Sequence, residues 1–394
     1  MVKLEWLIIG GGIHGTYHAN VLVHGAGVKA DDLRILDPHE APLTLWNRHA
    51  EACAMRYLRS PSTHNIDGPV LSLYRYARTS PAGNAPHFIP LYNRPSADLF
   101  RRHCRHVIQD RGLDRLRLRG RAQALHRLGG HLIVDTDSEP ITARRVLLAI
   151  GLTEQPRWPG WAQKLRRHGA RVDHVFSPGF RRNDQGPRGR TLVVGGGLSA
   201  VQTALALLKN SGGPVLLLSR HRLRVVPFDF DPCWIGPKCM RDFVKIAAHK
   251  RRQVIDAARK PGTIPEEVMA EVQSVLRRRH NRFSFALDRI KSGSISGGQI
   301  RLHTAGGRTI AVERVVLATG FSTRRPGGRF IDGAVERLPL PVGACGYPLV
   351  GDDLQWGANL FVTGPLAELR VGPCARNIVG ARNAGRLLLA GLKA

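Results

Sequence analysis

Two glycine turns, each set between an apolar run and a helical pattern, constrain this sequence more than any other feature. The first is Leu7-Ile8-Ile9 leading into Gly10-Gly11-Gly12-Ile13-His14-Gly15. The second is "TLVVGGGLSA", with Gly195, Gly197 and Ala200 at the same offsets and a helical pattern through "VQTALALL". In such a turn the first glycine permits the bend and the second lets the backbone approach a pyrophosphate. The third small residue lets helix and strand pack closely. The helix start adds unpaired N–H groups and the positive end of its dipole. This is the phosphate grip of a parallel α/β fold, so two turns predict two bound dinucleotides.

The strand after each turn separates the two ligands. "LRILD" ends on Asp37, twenty-two residues beyond Gly15, where an acid accepts hydrogen bonds from ribose hydroxyls. "VLLLSRHR" (215–222) ends instead on Ser219, Arg220 and His221. A carboxylate there would repel a 2′-phosphate, whereas Ser219 and Arg220 can bind one. The second site is therefore expected to hold NADPH rather than NADH, on Gly195, Gly197, Ser199, Ser219 and Arg220.

The duplication continues downstream. "GGHLIVDTDSEPITARRVLLAIG" (129–151) matches "GGQIRLHTAGGRTIAVERVVLATG" (297–320) in outline. Each has a glycine pair, an alternating strand, a turn, a second strand and a buried apolar strand ending in A-x-G. Both read as β-meanders returning the chain to a parallel sheet. A repeat of this size points to two related dinucleotide domains rather than a solenoid. The fold class is thus α/β, with two Rossmann-like dinucleotide-binding domains, each carrying a β-meander.

Charge is the unusual quantity: 59 Lys plus Arg against 30 Asp plus Glu give a formal net +29. Such a field attracts polyanions. The basic residues are mostly Arg and dispersed, however, and clusters such as "RRHCRH" (101–106) and "RLRLRGR" (115–121) lack interleaved aromatics. That argues against a dedicated nucleic-acid surface and for solvated arginine faces that favour anionic cofactors. At 43% hydrophobic and 23% charged residues the chain has globular composition. The six cysteines are scattered without a C-x-x-C and read as buried or incidental thiols. A strand pattern by Leu4 leaves no room for a signal peptide, and no apolar run approaches the ~20 residues of a membrane span. A cytoplasmic protein, open to homo-oligomer formation, is expected.

Between residues 237 and 282 two helices are expected. "KCMRDFVKIAAHKRRQVIDAARK" ends at Pro261-Gly262, and "PEEVMAEVQSVLRRRHNR" starts at Pro265 with Glu266 and Glu267 in its first turn.

Together these features resemble the two-dinucleotide-binding-domain flavoproteins, in which one domain holds FAD and a second, inserted in it, holds a nicotinamide nucleotide. "NLFVTGPL" (359–366) and "LRVGPCARNIVGARNAGRLL" (369–388) resemble the last FAD-contacting strand, loop and helix of that superfamily. The resemblance implies an FAD-binding domain split into 1–160 and 310–394. It places an NAD(P)H-binding domain at 161–309, with the helical insertion at about 237–282. It implies FAD contacts at Gly10, Gly12, Gly15, Asp37, Thr319, Gly320 and Gly364.

Within the superfamily, disulfide reductases carry a redox cysteine pair beside the flavin and an Asp after the glycine of the last FAD strand. Here Pro365 follows Gly364, and Cys233 and Cys239 lie in "FDPCWIGPKC", a context that does not match. The flavin monooxygenases, particularly the lysine/ornithine N-hydroxylase type, are closer. "RVVLATGF" (314–321) is similar to their A-T-G-aromatic motif, and "VDHVFSPGFRRN" (172–183) to the His-Ser…aromatic segment linking the domains, at His174 and Phe180. "MRYLRSPSTHNIDGPVLSLYRYA" (55–77) resembles the segment passing the flavin ring, which marks His64 and Asn65, with His174, as substrate or flavin contacts. "PFDFDPCWIGPKCMRDF" (227–243) resembles the stretch lining the nicotinamide side. Two departures stand out: Val175 occupies the place of the expected serine, with Ser177 two further on, and the first turn lacks the usual proline.

The resemblance implies a FAD-dependent NADPH oxidoreductase that works through a flavin C4a-hydroperoxide, using O2 to oxygenate a small nucleophilic substrate such as an amine. The cofactors carry that chemistry, so no side-chain nucleophile or metal is expected, and His14 is expected to face solvent or a phosphate. The same motifs permit an NAD(P)H dehydrogenase that passes electrons from FAD to a quinone or protein acceptor. More remotely, they permit a nucleic-acid-binding protein on a flavoprotein scaffold.

Overall fold

The computed structural model describes residues 3–81, 86–182, 189–210, 213–278 and 281–393. Asn183 of the expected linking segment, and Arg279 and His280 at the end of the expected second helix, lie outside them.

Apolar residues along Lys3–Ile9 point alternately to two cores: Trp6 and Ile8 to one, Leu7 and Ile9 to the other. A strand buried on both faces belongs in the middle of a parallel sheet. The strand lies there, between Ile141–Leu148 and Leu33–Asp37, with Leu360–Val362 and Arg117–Arg119 outside them, all in parallel pairing. The second glycine-turn strand, Thr191–Val194, repeats the arrangement: Val193 faces one core, Leu192 the other. Its sheet runs Phe283–Leu287, Val215–Ser219, Thr191–Val194, Arg314–Leu317, Val172–His174, again all parallel. Four strands of each sheet have the same order about the glycine turn; the fifth comes late in the chain in the first sheet, at Leu360–Val362, and early in the second, at Val172–His174.

The meanders differ at one joint. In the first, Ile141–Leu148 is continuous: its beginning pairs antiparallel with His131–Thr136, while Thr142 and Ala143 already pair in parallel with Lys3 and Leu4. In the second the corresponding strand is divided. Thr309–Val312 pairs only with Gln299–Thr304, and Arg314–Leu317 joins the parallel sheet. Glu313 lies between them, held by Gln299 Nε2 at 2.8 Å.

The limit expected at 309/310 falls at this divided strand: Thr309–Val312 lies in a three-stranded sheet and Arg314–Leu317 in the five-stranded sheet of the second glycine turn. The connecting segments on either side run antiparallel, with Arg157 N donating to Gly320 O at 2.8 Å and Ser322 N to Gln155 O at 2.8 Å.

The insertion holds three helices rather than two: Pro237–Phe243, Ala248–Ala258 and Glu266–Arg277. The expected first helix breaks after Phe243, and Ile246, within the break, packs half-buried against the cluster of Phe243, Ile255, Tyr347 and Leu369. The carbonyls freed at the break are taken by Arg251, whose guanidinium donates to Val244 O and Ile246 O at 2.8 Å each, and to Leu369 O at 3.0 Å.

Arginines also fasten the insertion to the first unit. Arg94 makes a two-pronged pair with Glu267 at 3.0 and 2.8 Å. Glu368, fully buried, accepts from Arg252 at 2.8 Å and from Arg376 at 2.6 and 2.8 Å. Burial alone would raise the Glu368 pKa, but Arg376, Arg259 and Arg252 outweigh it and hold the carboxyl below the ordinary range. Cys233 and Cys239, expected as unpaired thiols, are joined by a disulfide. Cys53, Cys104 and Cys374 are buried thiols and Cys345 is exposed. Among the described residues no helix is long and apolar enough to cross a membrane.

Candidate functional site

The first glycine turn is open where a phosphate would come. Gly10 needs its positive φ of 109°, and a Cβ there would meet the Ala149 carbonyl oxygen at 2.6 Å. At Gly15 a Cβ would overlap the Gly10 carbonyl oxygen, so helix and strand close directly on each other. Over Gly12 there is nothing within 4 Å of a Cβ position. Gly12 caps the helix Ile13–Ala26 without any side-chain hydrogen bond, and no acid stands in the first turn. The amide groups at this helix start are therefore free to receive an anion. Asp37 braces the turn: Oδ2 accepts from Gly11 N at 2.6 Å and Oδ1 from His39 N at 2.9 Å.

A cavity of about 650 Å³ extends from this turn. Its walls include Gly10, Gly12, His14 and Asp37 of the first unit, Gly364 and Pro365 of the C-terminal segment, and Ser199 at the start of the second glycine-turn helix. One cavity therefore touches both halves of the duplication. His14 lines it, with Nδ1 2.9 Å from Thr363 Oγ1. Burial, with His18 beside it, lowers the His14 pKa to about 3, so the ring is neutral. Toward the second unit the wall is aromatic. Phe176 and Phe321 stack at 4.7 Å, and His49 lies 4.8 Å from Phe176. His49 is likewise held neutral by burial, its pKa lowered to about 4.

The second turn is covered. Gly195 has the required φ of 152°, and a Cβ on it would meet the Ala318 carbonyl oxygen at 2.5 Å. A Cβ on Gly197, however, would come within 3.2 Å of Gly262 Cα, and one on Gly196 within 2.9 Å of the His221 ring. Pro261–Gly262 thus occupies the side from which a pyrophosphate would approach Gly197. Ser219 is also unavailable: buried, it donates Oγ–H to His221 O at 2.7 Å and accepts from His221 N at 3.3 Å. This local turn is a usual serine conformation, and it removes the expected Ser219 contact. Arg220 is exposed at the strand end.

Several other expected contacts lie elsewhere. Thr319 and Gly320 are on the connecting segment, outside the cavity lining; Thr319 Oγ1 bonds Arg157 O and lies 3.3 Å from His174 Nε2. His174 is fully buried and accepts from Phe176 N at 3.1 Å through Nδ1, packed against Trp158. It is part of the joint between units. Of the stretch 55–77, Met55 lines the cavity but His64 and Asn65 do not. Asn65 is fully buried, donating to Val70 O at 2.9 Å and accepting from Arg382. The stretch 227–243 packs on the first unit instead of the cavity: Asn377 reaches Asp229 at 3.3 Å, and Asn383 reaches Ile235 O at 3.1 Å.

Sequence reasoning missed His49 and Phe176 altogether. Phe321 was visible as the aromatic of "ATGF", but its partners come from segments far apart in the chain. Among the described residues no group of three or more His, Cys, Asp or Glu could hold a metal ion.

Comparison with known proteins follows the same lines. Residues 7–153, the part of the chain that holds the open turn, match a family model described as FAD-NAD(P)-binding. No curated protein matches the sequence. The fold is shared with an ornithine N-hydroxylase from Kutzneria sp. 744, at 14% identity and a TM-score of 0.77 over 100% of this chain and 99% of that one. It is shared with the L-lysine 6-monooxygenase of Pseudomonas syringae, at 18% identity and 0.71 over 99% of each chain. It is shared too with a cadaverine monooxygenase of desferrioxamine biosynthesis from Erwinia amylovora, at 14% identity and 0.75 over 99% and 94%. A second family model, L-lysine 6-monooxygenase/L-ornithine 5-monooxygenase, matches residues 118–323, just over half the chain and the whole of the second unit. On that match the chain belongs to the L-lysine 6-monooxygenase/L-ornithine 5-monooxygenase family, and is a flavin-dependent NADPH oxidoreductase.

Proposed function

We propose that this chain is a monooxygenase that oxygenates the nitrogen of a small primary amine, with FAD in the cavity of the first turn. The carrying observation is that a single cavity is lined by the open turn at Gly10–Gly12 and by Ser199 of the second unit. FAD fits the first turn: the amides beyond Gly12 would receive its pyrophosphate, Asp37 its ribose, and Gly364 with Pro365 would border the far wall. Bound FAD would supply the redox chemistry, taking a hydride from NADPH and passing one oxygen atom from O2 to the amine nitrogen.

The protein's part is to bind, shield and exclude charge. Phe176, Phe321 and Met55 form an apolar wall that keeps water from the reacting end. His14 and His49, held neutral, line the cavity without adding positive charge to the strongly basic chain. The second turn in its covered arrangement does not fit a pyrophosphate at Gly197. Arg220, exposed beside it, is the group for a 2′-phosphate.

The cysteine pair lies outside the cavity lining, which favours oxygen transfer over disulfide reduction. The test is turnover of the FAD-loaded protein with NADPH and O2 over cadaverine, L-ornithine and L-lysine, with mass spectrometry for a product sixteen daltons heavier (about one oxygen atom). NADPH consumption without an oxygenated product for any amine, together with rapid anaerobic reduction of a quinone, would replace this reading by the dehydrogenase one. Arg220→Ser should raise the KM for NADPH about ten-fold and leave that for NADH unchanged.

A further inference from the structure

We propose that Cys233 and Cys239 form a reversible redox modification site whose oxidised state braces the C-terminal loop at the cavity's edge, with a low-molecular-weight disulfide as oxidant. The two Cα atoms lie 5.3 Å apart, a spacing that allows a bond without backbone movement. Cys233 and Cys239 are both half-buried, neither sealed from solvent, so bond formation and cleavage are open to small thiols. The other thiols are differently placed: Cys53, Cys104 and Cys374 are buried, with pKa values raised by burial, and Cys345 stands alone at the surface.

The ring closed by the bond carries Trp234, Ile235 and Gly236, and Trp234 and Ile235 pack against the core that holds Leu7 and Ile9 of the first unit. Trp234 packs edge-on against Phe243 at 5.8 Å. Ile235 O accepts from Asn383 on the last helix at 3.1 Å. Met240, next to Cys239, lies under Gly372, where a Cβ would come within 2.9 Å of its sulfur. The loop that begins at Gly364 and Pro365, both on the cavity wall, passes through Gly372 and ends at Asn377, which holds Asp229. The bond therefore fixes the outer support of a loop whose inner side lines the cavity. Neither cysteine belongs to a core cluster, while Trp234, Ile235 and Phe243 of the same segment each pack in one, so reduction loosens the exposed Pro237–Lys238 side of the ring and leaves the packed side in place.

In the oxidation the Cys239 thiolate attacks one sulfur of the external disulfide and expels a thiolate. The Cys233 thiolate then attacks Cys239 Sγ and expels the second. Two cysteine thiols are oxidised, one external disulfide is reduced to two thiols, and the two cysteine protons end on those leaving groups.

The experiment uses the full chain with Cys345→Ser, so that accessible thiols report on this pair. After incubation with oxidised glutathione no thiol should react with a chromogenic disulfide under native conditions; after dithiothreitol and desalting, two should. Cleavage by trypsin at Lys238 or Arg241 should become about ten-fold faster on reduction, as the ring's closure entropy is released. Reduced protein should also release FAD several-fold faster. FAD retention rests on the function proposed above, whereas thiol count and cleavage rate do not depend on it. Two reactive thiols persisting after oxidised glutathione would overturn the site. Cleavage and FAD release that are both unchanged by reduction would overturn the brace. Cys233→Ser and Cys239→Ser should each show the reduced cleavage rate in both conditions; a rate still sensitive to oxidant would also overturn the proposal.

Discussion

At Gly12 and Gly15, residues three apart in one turn, the same methyl group should have opposite consequences. Gly12 has φ −76° and open space above it, so Gly12→Ala should leave the stability of the FAD-free protein within about 0.5 kcal/mol. It should weaken FAD binding at least ten-fold, about 1.4 kcal/mol, because the methyl fills the phosphate's place. At Gly15 the methyl would overlap the Gly10 carbonyl, and Gly15→Ala should destabilise the fold itself by about 3 kcal/mol. Urea unfolding and FAD titration separate the two. If Gly12→Ala bound FAD normally, the first turn would not be its site.

His18 carries a pH dependence of definite sign. It is fully buried, its Nδ1–H donates to His14 O at 2.8 Å, and its Nε2 has no partner to receive a proton's charge. Burial lowers its pKa from 6.5 to about 4. As pH falls below 6.5 the unfolded chain takes up the proton first, so stability drops between pH 6.5 and about 4 and levels off below. The contribution is at most about 1.4 kcal/mol per pH unit. His18→Asn, which can keep the donor, should make the decline of the urea midpoint across that window less steep and leave its slope above pH 7 unchanged. Parallel profiles would show that His18 does not titrate.

At the scale of elements, the insertion is attached by charge. Glu368 gathers Arg252, Arg259 and Arg376 in a buried site. Glu368→Gln leaves the arginines facing one another with their acid gone, and removal of one partner from such a cluster costs about 3–5 kcal/mol. A loss under about 1 kcal/mol in denaturant unfolding would mean that the cluster is well hydrated.

Elements also show where the sequence was readable. The glycine turns, their flanking strands and the meanders could be read because each depends on residues close in the chain: periodicity, a turn and a cap. The site was harder. Ser219 looked available for a phosphate, yet its hydroxyl closes a turn onto His221, a competition that sequence does not rank. Gly262 covers Gly197 from sixty-five residues away, and no local signal marks it. His64 and Asn65 matched a family segment, but both are buried outside the cavity lining, and Asn65 is held by Arg382 and the Val70 carbonyl. The break after Phe243 was concealed because helical residues continue through it, and Arg251 caps it from beyond.

For the whole molecule, the shared cavity predicts shared unfolding. Ser199 and the linking Phe176 and Phe321 line the same space as Gly10 and Asp37, so FAD bound there should stabilise both units together. At a thousand-fold excess over its Kd the gain is about 4 kcal/mol. Calorimetry should show one transition moving upward with FAD. Two transitions, of which one ignores FAD, would mean that the units are energetically separate.

The interrupted strand at Glu313 has a mechanical result. In the first unit the meander and the central sheet are one uninterrupted length of backbone, Ile141–Leu148, so they can be pulled apart only by breaking a strand's own ladder. In the second, one residue works as a knuckle between Thr309–Val312 and Arg314–Leu317. Amide protons of Ile290–Val312 should therefore exchange through an opening that leaves Arg314–Leu317 protected, while those of Ala122–Leu148 exchange together with their sheet. The two copies share a plan, but one is rigidly built and the other articulated.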